Sequence, residues 1–407
     1  MITRKYSKIN ALNLIPFVYD ILKANKTEEL LSFLMWEFSW HFLKKKIKQI
    51  QFNNTVSDIM IEGGIKNLKT VMNTKFHECS TDFNLVIIDG QNMILGSRVS
   101  YPTKLFSQDK DGGITERFDF GTAIKCIFKD KRNNIFVCSN GEVFKSEDSG
   151  LTFKSVLKFS SDESLFLFET VTETDNNEIL IGEYANIKND GKWVFVGYLY
   201  ISNDEGETWQ KSDFLKHKIN KHIHIIKWVK QLKCLILTEG DDKKGIWMNK
   251  SNNYFSQSNN EKSGWFRLNK FHIQKGGYTG FVETAKNIVL GTDYYQGTNF
   301  IVSTTDVKNF DFLMIPDPYR RSAVFRMVYL ENQTIWAGLY NHLHPNKSLL
   351  MYSEDFGKSW YKFLEYDGSQ IKISMISNAI GNHLYVLAED LISNEFKTYL
   401  VSHQRVV

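Results

Sequence analysis

One segment of the chain, residues 222–247, contains two histidines and two carboxylates, which are residue types that suit catalysis. His222 and His224 begin a strand-like run, and Glu239 and Asp241 end the next one. Because side chains of a strand alternate between its faces, a spacing of two places both histidines on one face. The group suits acid/base catalysis or, with a divalent metal at the histidines, metal binding; we expect no other cofactor. The structural alternative is that the histidines cap a strand and the carboxylates bind turn amides.

Polar and aromatic residues also follow the other strand-like runs, at the equivalent position. Carboxylates there can act as acid or base on a glycosidic bond, and aromatic rings can stack on sugars. The further predicted catalytic residues are Glu183 and Asp293. The predicted substrate-binding residues are Arg98, Tyr184, Tyr294, Tyr295, Tyr340 and His342, the last with a solvated loop position as the alternative. We expect these positions to gather at one mouth of a closed ring of strands.

An eight-residue motif occurs three times, as SEDSGLTF at 146–153, SNDEGETW at 202–209 and SEDFGKSW at 353–360. Each copy fits Ser-X-Asp-X-Gly-X-Thr/Ser-aromatic. In a turn, the Asp can accept backbone N–H bonds, the Gly can take a positive φ and the ring can anchor the turn on a sheet. We therefore expect Asp148, Asp204 and Asp355 to be structural rather than catalytic.

This motif resembles the Asp box, or BNR repeat, of sialidases and related β-propellers, and the resemblance implies an all-β propeller of four-stranded antiparallel blades. Sialidases use a tyrosine nucleophile beside a glutamate, an aspartate acid/base and three arginines that bind a carboxylate. Glu183 with Tyr184 is similar to the first pair. The Phe/Tyr-Arg-Ile-Pro motif that supplies the first arginine is absent, and only Arg98, Arg321 and Arg326 are expected near the axis. Because lysine replaces arginine poorly in bidentate binding, sialidase activity is not expected.

Seven repeated units follow one another from about residue 85 to the end of the chain. Their second strands end in ILGSR, IFVCSNG, ILIGEY, LILTEGD, IVLGTDY, IWAGLY and LYVLAED. A recurrence every 40 to 55 residues, roughly, is typical of propeller blades. We predict seven blades, with six as the alternative. The last unit has room for three strands, so a strand near 74–79 is expected to supply the fourth and close the ring.

The N-terminal part of the chain has a different pattern. Between about 11 and 47 the apolar residues recur at helical spacing, and four lysines follow at 44–46 and 48. We predict a helical segment at 1–65 and a propeller at 66–407. The helices are expected to pack on the propeller, contact a partner subunit or lie on a membrane surface, the last with an exposed apolar stripe that includes Trp36 and Trp40.

Composition narrows the function classes. The 407 residues carry a net charge of only +4, which gives no electrostatic case for nucleic acid. The four cysteines are widely spaced and fit neither a zinc site nor a disulfide scaffold. There is no run of 18 apolar residues that would predict a transmembrane span, and no signal peptide pattern, so a cytoplasmic location is expected.

Two functions follow from these features. The first is a glycan-binding and glycan-processing protein, a hydrolase or a lyase, that resembles sialidase-superfamily glycoside hydrolases. The second is a non-catalytic propeller that serves as a carbohydrate-binding or protein-interaction scaffold, because fold alone does not settle function. A pair of carboxylates roughly 5 to 9.5 Å apart across the mouth would favour a hydrolase.

Overall fold

The computed structural model describes residues 13–23, 27, 30, 31, 34, 35, 38, 48–61, 65, 74–88, 93–216, 222–240, 245–268, 277–294, 297–343 and 347–403. The predicted site residues Asp241 and Tyr295 lie outside these residues, as do Trp36 and Trp40. Strands make up 48% of the protein and helices 6%, so the chain is mostly β, as predicted.

In the N-terminal part, the described residues give the bounds of a helix and three short strands. They are α1 (Leu14–Lys23), β1 (Lys48–Gln49), β2 (Ile59–Ile61) and β3 (Thr74–Glu78). Among the described residues, no helix has both the length and the apolar character needed to cross a bilayer.

The first three blades are antiparallel meanders of four strands each. Blade 1 contains β4 (Phe83–Ile88), β5 (Ile94–Arg98), β6 (Lys104–Gln108) and β7 (Ile114–Asp119). Blade 2 contains β8 (Ile124–Lys129), β9 (Ile135–Ser139), β10 (Glu142–Ser146) and β11 (Lys154–Lys158). Blade 3 begins after a 3-10 helix, η1 (Phe168–Thr170), and contains β12 (Val171–Glu173) and β13 (Ile179–Gly182), then the hairpin β14 (Lys188–Asn189) and β15 (Lys192–Trp193), then β16 (Leu199–Ser202) and β17 (Gln210–Ser212).

The remaining four blades complete the ring. Blade 4 contains β18 (Ile223–Val229), β19 (Cys234–Glu239), β20 (Ile246–Asn249), β21 (Gln257–Ser258) and β22 (Trp265–Arg267). Blade 5 contains β23 (Tyr278–Glu283), β24 (Ile288–Thr292), β25 (Phe300–Thr304) and β26 (Asp311–Met314). Blade 6 contains β27 (Ala323–Tyr329), β28 (Ile335–Tyr340), β29 (Ser348–Ser353) and β30 (Tyr361–Tyr366). Blade 7 contains β31 (Ile371–Met375), β32 (His383–Asp390) and β33 (Phe396–His403). The prediction of seven blades is confirmed, and the six-bladed alternative is wrong.

The strand β3 closes the ring by pairing antiparallel with β33, the last strand of blade 7. Thr74 lies opposite His403, and Glu78 lies opposite Tyr399. The Phe76 ring stacks on Tyr399 with centroids 4.3 Å apart, and it meets Phe363 of blade 6 edge-on at 5.9 Å. The predicted closing strand is therefore confirmed, and aromatic packing holds it in place.

Two strands of the N-terminal segment extend other blades. β1 pairs parallel with β26 of blade 5, and β2 pairs parallel with β30 of blade 6. Ile59 and Ile61 are buried against blade 6, whereas Met60 between them is exposed. Residues 48–61, which belong to the predicted 1–65 segment, thus contribute outer strands to the propeller.

The three repeated motifs form turns of the same geometry between the third and fourth strands of blades 2, 3 and 6. In blade 2, one Asp148 carboxylate oxygen accepts bonds from the backbone N–H of Leu151 (3.1 Å) and Thr152 (2.9 Å), and the other accepts the Thr152 hydroxyl (2.6 Å). Gly150 adopts a φ of +86° there. Asp204 and Asp355 accept equivalent bonds in their own turns.

The meander places the candidate residues at one edge of the ring. In an antiparallel pair, the end of the second strand lies beside the start of the inner strand. The inner strands of the seven blades are β4, β8, β12, β18, β23, β27 and β31. We call the edge where they begin the upper rim. Every described residue that was predicted to be catalytic or substrate-binding lies at or next to this rim, whereas the turns of Asp148, Asp204 and Asp355 lie at the opposite edge.

Candidate functional site

The two histidines and one tyrosine form a compact group at the upper rim between blades 3 and 4. The Nε2 atoms of His222 and His224 are 2.9 Å apart, and the Tyr184 ring packs on His222 with centroids 4.1 Å apart. The pairing of β18 with β19 shifts between Ile223 and Ile225, so His224 lies in a β-bulge. A bulge redirects side chains. It lets two rings that are two residues apart meet nitrogen to nitrogen.

The hydrogen bonds of the pair assign its tautomers. His222 Nδ1 lies 2.8 Å from the carbonyl oxygen of Ala185, which can only accept a bond, so Nδ1 of neutral His222 carries its proton. His222 Nε2 is then the acceptor for the Nε2–H of His224. The basic nitrogen of neutral His224 is consequently Nδ1. The Ala185 carbonyl therefore orients both rings.

Gly240 makes the histidine pair possible. A Cβ at this position would lie 2.6 Å from His222 Nε2 and closer still to His224 Nε2, far below normal contact distances. The Gly240 N–H also donates to the His222 carbonyl (3.1 Å). Any other residue here would push against both rings.

Glu183, a predicted catalytic residue, is buried and accepts several hydrogen bonds. One carboxylate oxygen accepts the Ser160 N–H (3.0 Å), the Ser160 hydroxyl and the Ser164 hydroxyl (2.6 Å), and the other accepts the Tyr200 hydroxyl (2.8 Å). Burial, and then the Glu183 charge, raise the pKa of Tyr200. The Tyr200 hydroxyl therefore stays protonated and keeps donating to the Glu183 side chain.

Glu239, the second predicted carboxylate of blade 4, is also fully buried and accepts the indole N–H of Trp247. Gly245 allows this close approach, because a Cβ there would lie 2.8 Å from both the Glu239 carboxylate and the Trp247 nitrogen. Both buried glutamates thus receive donors from neighbouring protein groups. In this arrangement, hydrogen bonds from the protein hold each carboxylate in place, whereas the carboxyl group of a glycosidase acid or nucleophile must face its substrate.

The other predicted residues form separate local groups in other blades. In blade 1, Arg98 donates to Asp82 (2.6 Å) and its guanidinium lies over the rings of Tyr101 and Phe106 at 5.3 and 5.4 Å. Its charge is therefore satisfied by a neighbour within its own blade.

In blade 5, Asp293 and Tyr294 are half-buried in the loop that follows β24. The Tyr294 N–H donates to the Asn299 side-chain oxygen (2.7 Å), and the Asn299 amide returns a bond to the Tyr294 carbonyl (2.9 Å). The Asp293 N–H donates to the Gly277 carbonyl (2.9 Å). These bonds fix the loop backbone at the rim.

In blade 6, Tyr340 and His342 lie with ring centroids 6.4 Å apart, and Phe325 approaches Tyr340 at 5.9 Å. Burial, with a contribution from the Glu389 charge, raises the pKa of Tyr340. Tyr340 is half-buried and His342 is exposed. The structure therefore joins Tyr184, His222 and His224 in one group and leaves Arg98, Tyr294 and Tyr340 in other blades.

The geometry of the histidine pair does not suit a divalent metal ion. Within the described part of the chain, no three His, Cys, Asp or Glu side chains are arranged to hold a metal ion. The two Nε2 atoms of the pair face each other at hydrogen-bond distance rather than at the two sides of an ion.

A second charged group lies at the propeller axis and was not predicted as a site. Arg326 of β27 places its guanidinium 3.8 Å from the centre of the Phe168 ring and approaches Glu169 at 3.2 Å. It also donates to the Met375 carbonyl of blade 7 (2.7 Å). Lys227 of β18 donates to the carbonyl oxygens of Phe168 and Val171, the second at 2.9 Å. Burial lowers the pKa of Lys227 to about 8.

The sequence contains a sign of this axial group, because a single cation interrupts each of two apolar inner strands. Lys227 lies in IHIIKWV and Arg326 in AVFRMVY. A charged residue in an otherwise apolar strand needs a partner. The partner, η1, lies against the inner strands of blades 2, 4 and 5, and no local pattern predicts that contact.

Comparisons with known proteins bear on the fold. No family model and no curated protein matches the sequence. Among solved structures, a streptogramin B lyase is similar with a TM-score of 0.52 at 13% identity, covering 82% of this chain and 99% of the lyase. Virginiamycin B lyase from Staphylococcus aureus gives a TM-score of 0.51 at 12% identity, with 81% and 100% covered. A fungal alcohol oxidase of the AA5 family gives 0.52 at 9% identity, with 81% and 76% covered. These likenesses show a shared β-propeller fold.

Proposed function

We propose that this propeller binds a carbohydrate over Tyr184 and cleaves it by β-elimination, with His224 as the base. The observation that carries the proposal is the hydrogen-bonded histidine pair beneath an aromatic ring at the upper rim. Aromatic rings are common platforms for the apolar face of a sugar, and histidine is the commonest acid/base group at neutral pH.

The surroundings of the carboxylates favour elimination over hydrolysis. Hydrolysis of a glycosidic bond uses two carboxyl groups that face the substrate. The carboxylates of Glu183 and Glu239 already accept hydrogen bonds from protein donors, which hold them in place. Elimination from a uronate sugar needs one base instead, and His224 Nδ1 is the basic nitrogen of the pair. This atom is buried in the structure, so the Tyr184 side of the rim must open for a substrate to reach it.

The step balances without a co-reactant. The base takes the proton from the carbon next to the uronate carboxylate, and that C–H electron pair forms a C=C bond. The adjacent C–O bond to the next sugar breaks, and the leaving oxygen takes a proton from the histidine pair or from water. His222, held by the Ala185 carbonyl, orients His224 through their shared bond.

One observation favours the second candidate, a non-catalytic scaffold or lectin. The His222 and His224 side chains are only 1% and 5% exposed. Buried rings that bond to one another and to the backbone can serve to join blades 3 and 4. In that case, carbohydrate or protein would bind the rim with no product formed.

The test combines a glycan array with an assay for the ultraviolet absorbance of unsaturated uronate products. His224→Gln is the informative variant, because glutamine keeps an N–H that can donate to His222 but lacks the base Nδ1. It should bind glycan like the wild type and lose roughly 100-fold or more in rate. Tyr184→Ala should lose binding.

His383→Gln is the matched control, because this residue begins the second strand of blade 7 at the opposite rim. It should behave as wild type in both assays. Unchanged turnover in His224→Gln would refute the catalytic role. Glycan binding without product in any form would establish the lectin candidate.

A further inference from the structure

The helix α1 exposes an apolar stripe to water. The side chains of Leu14, Ile15, Val18, Tyr19 and Leu22 are 49%, 80%, 40%, 63% and 58% exposed. Their spacing places them along one side of the helix. The helix therefore presents to solvent the kind of face that a surface helix ordinarily buries.

The chain covers a different side of the same helix. Ile21 is 8% exposed, and Phe17 and Asp20 are partly covered. On a helical wheel these three residues lie together, away from the stripe. The rest of the protein thus packs on one side of α1, and the apolar stripe on the other side stays exposed.

Exposed apolar side chains continue beyond the helix. Nearly half of the large apolar side chains that are exposed in the described part of the chain lie between residues 14 and 38. After α1 they include Leu31, Leu34, Met35 and Phe38, each more than half exposed. A concentration of this kind marks an interaction surface.

The charge of the N-terminal residues indicates what binds the apolar stripe of α1. Residues 1–50 contain nine Lys or Arg and four Asp or Glu, and the rest of the chain is nearly balanced. In the sequence, basic residues follow the stripe, with Lys23 and Lys26 next and a lysine cluster at 44–46 and 48. A second copy of the chain would bring the same positive charge, whereas an anionic lipid surface is complementary in both charge and apolarity.

We propose that α1 and the lysine-rich residues after it dock this protein on an anionic membrane surface, with the apolar stripe at the level of the lipid headgroups. The strands β1 and β2, which follow this segment, pair with the outer strands of blades 5 and 6. The membrane anchor is thereby joined to the edge of the propeller. The predicted cytoplasmic location would place the protein beside the leaflet that carries anionic lipids.

The test is flotation of the full chain with vesicles of phosphatidylcholine alone and of phosphatidylcholine mixed with phosphatidylserine. The wild type should float with the anionic vesicles and be released by raised salt, which screens the lysines. Ile15→Glu should weaken binding about tenfold or more, because a charge replaces a side chain that enters the interface. Ile392→Glu, at a 73% exposed position in blade 7, is the matched control and should bind like the wild type.

Both substitutions are at exposed positions, so both variants should keep the melting temperature of the wild type. Absence of flotation with anionic vesicles would overturn the proposal, and equal flotation with neutral vesicles would overturn the role of charge. A wild-type dimer that Ile15→Glu converts to a monomer, without vesicle binding, would instead make the stripe a contact between copies. Glycan binding is measured separately, so either proposal can fail alone.

Discussion

Replacement of Gly240 by alanine should disrupt the histidine pair. The new Cβ would lie 2.6 Å from His222 Nε2 and closer to His224 Nε2, whereas ordinary Cβ contacts exceed 3.4 Å. Both rings must then move, and His222 is also held by the Ala185 carbonyl. Forcing extra volume into a packed site typically costs about 1 to 3 kcal/mol, and we expect a loss of free energy of unfolding in that range.

Equilibrium unfolding in urea measures the loss, and the imidazole resonances in NMR spectra report the rings directly. Gly338→Ala is the matched control, because Gly338 lies in β28, the second strand of blade 6, and its Cβ would meet only Met375 at 3.4 Å. The control should change stability by less than about 1 kcal/mol. Gly240→Ala should also shift the resonances of His222 and His224.

The reasoning would be refuted if Gly240→Ala had wild-type stability and unchanged histidine resonances. Such a result would mean that the rings are not packed against the backbone of Gly240. The stability measurement does not depend on any activity, so it tests the geometry of the site independently of the proposed reaction.

Three further predictions concern the frame around the site. Phe76→Ala should cost about 3 to 5 kcal/mol, because a buried ring leaves the closing strand, whereas Phe325→Ala, at a 51% exposed position, should cost little in the same urea titration. The turn hydrogen bonds lower the pKa of Asp204 to about 2. The wild type should therefore melt at a higher temperature than Asp204→Asn above about pH 4, and this difference should shrink as the pH falls toward 2. Because the pKa of Lys227 is lowered, the unfolded chain binds more protons than the folded protein between pH 8 and 10.5. The stability of the wild type should therefore rise over that range relative to Lys227→Met. An equal dependence of stability on pH in both proteins would contradict this.

The parts of the fold that were predictable from the sequence are local. The turn around Asp148 depends on residues within six positions of one another, so its motif appears directly in the sequence. The closing strand was predictable by counting, because the last unit lacked a strand. By contrast, β1 and β2 have two and three residues and pair with strands more than 250 positions away, which no local pattern indicates.

The site was predictable in its members but not in its arrangement. Alternation placed His222 and His224 on one face, but the bulge at His224 that brings their nitrogens together follows from the pairing with β19. The sequence showed Glu183 as a carboxylate at a rim, which favoured catalysis. Its donors Ser160 and Tyr200 come from the preceding loop and a neighbouring strand. The structural role of the Glu183 carboxylate therefore depends on donors that only the folded chain brings close to it.

The contact between blades 3 and 4 connects the axial group to the histidine pair. At the rim, the Ile223 N–H donates to the Glu183 carbonyl (3.2 Å), and Gly182 lies so close to Ile223 that a Cβ there would be 2.7 Å from its side chain. Four residues further along the same strand, Lys227 donates to the Val171 carbonyl of blade 3. β18 is thus hydrogen-bonded to blade 3 at Ile223 and at Lys227, and His224 lies between these two residues. Lys227 forms the attachment that lies farther from the rim. Its replacement by methionine removes this hydrogen-bond donor, which should loosen β18 and alter the geometry of His224 without any direct contact between the two side chains.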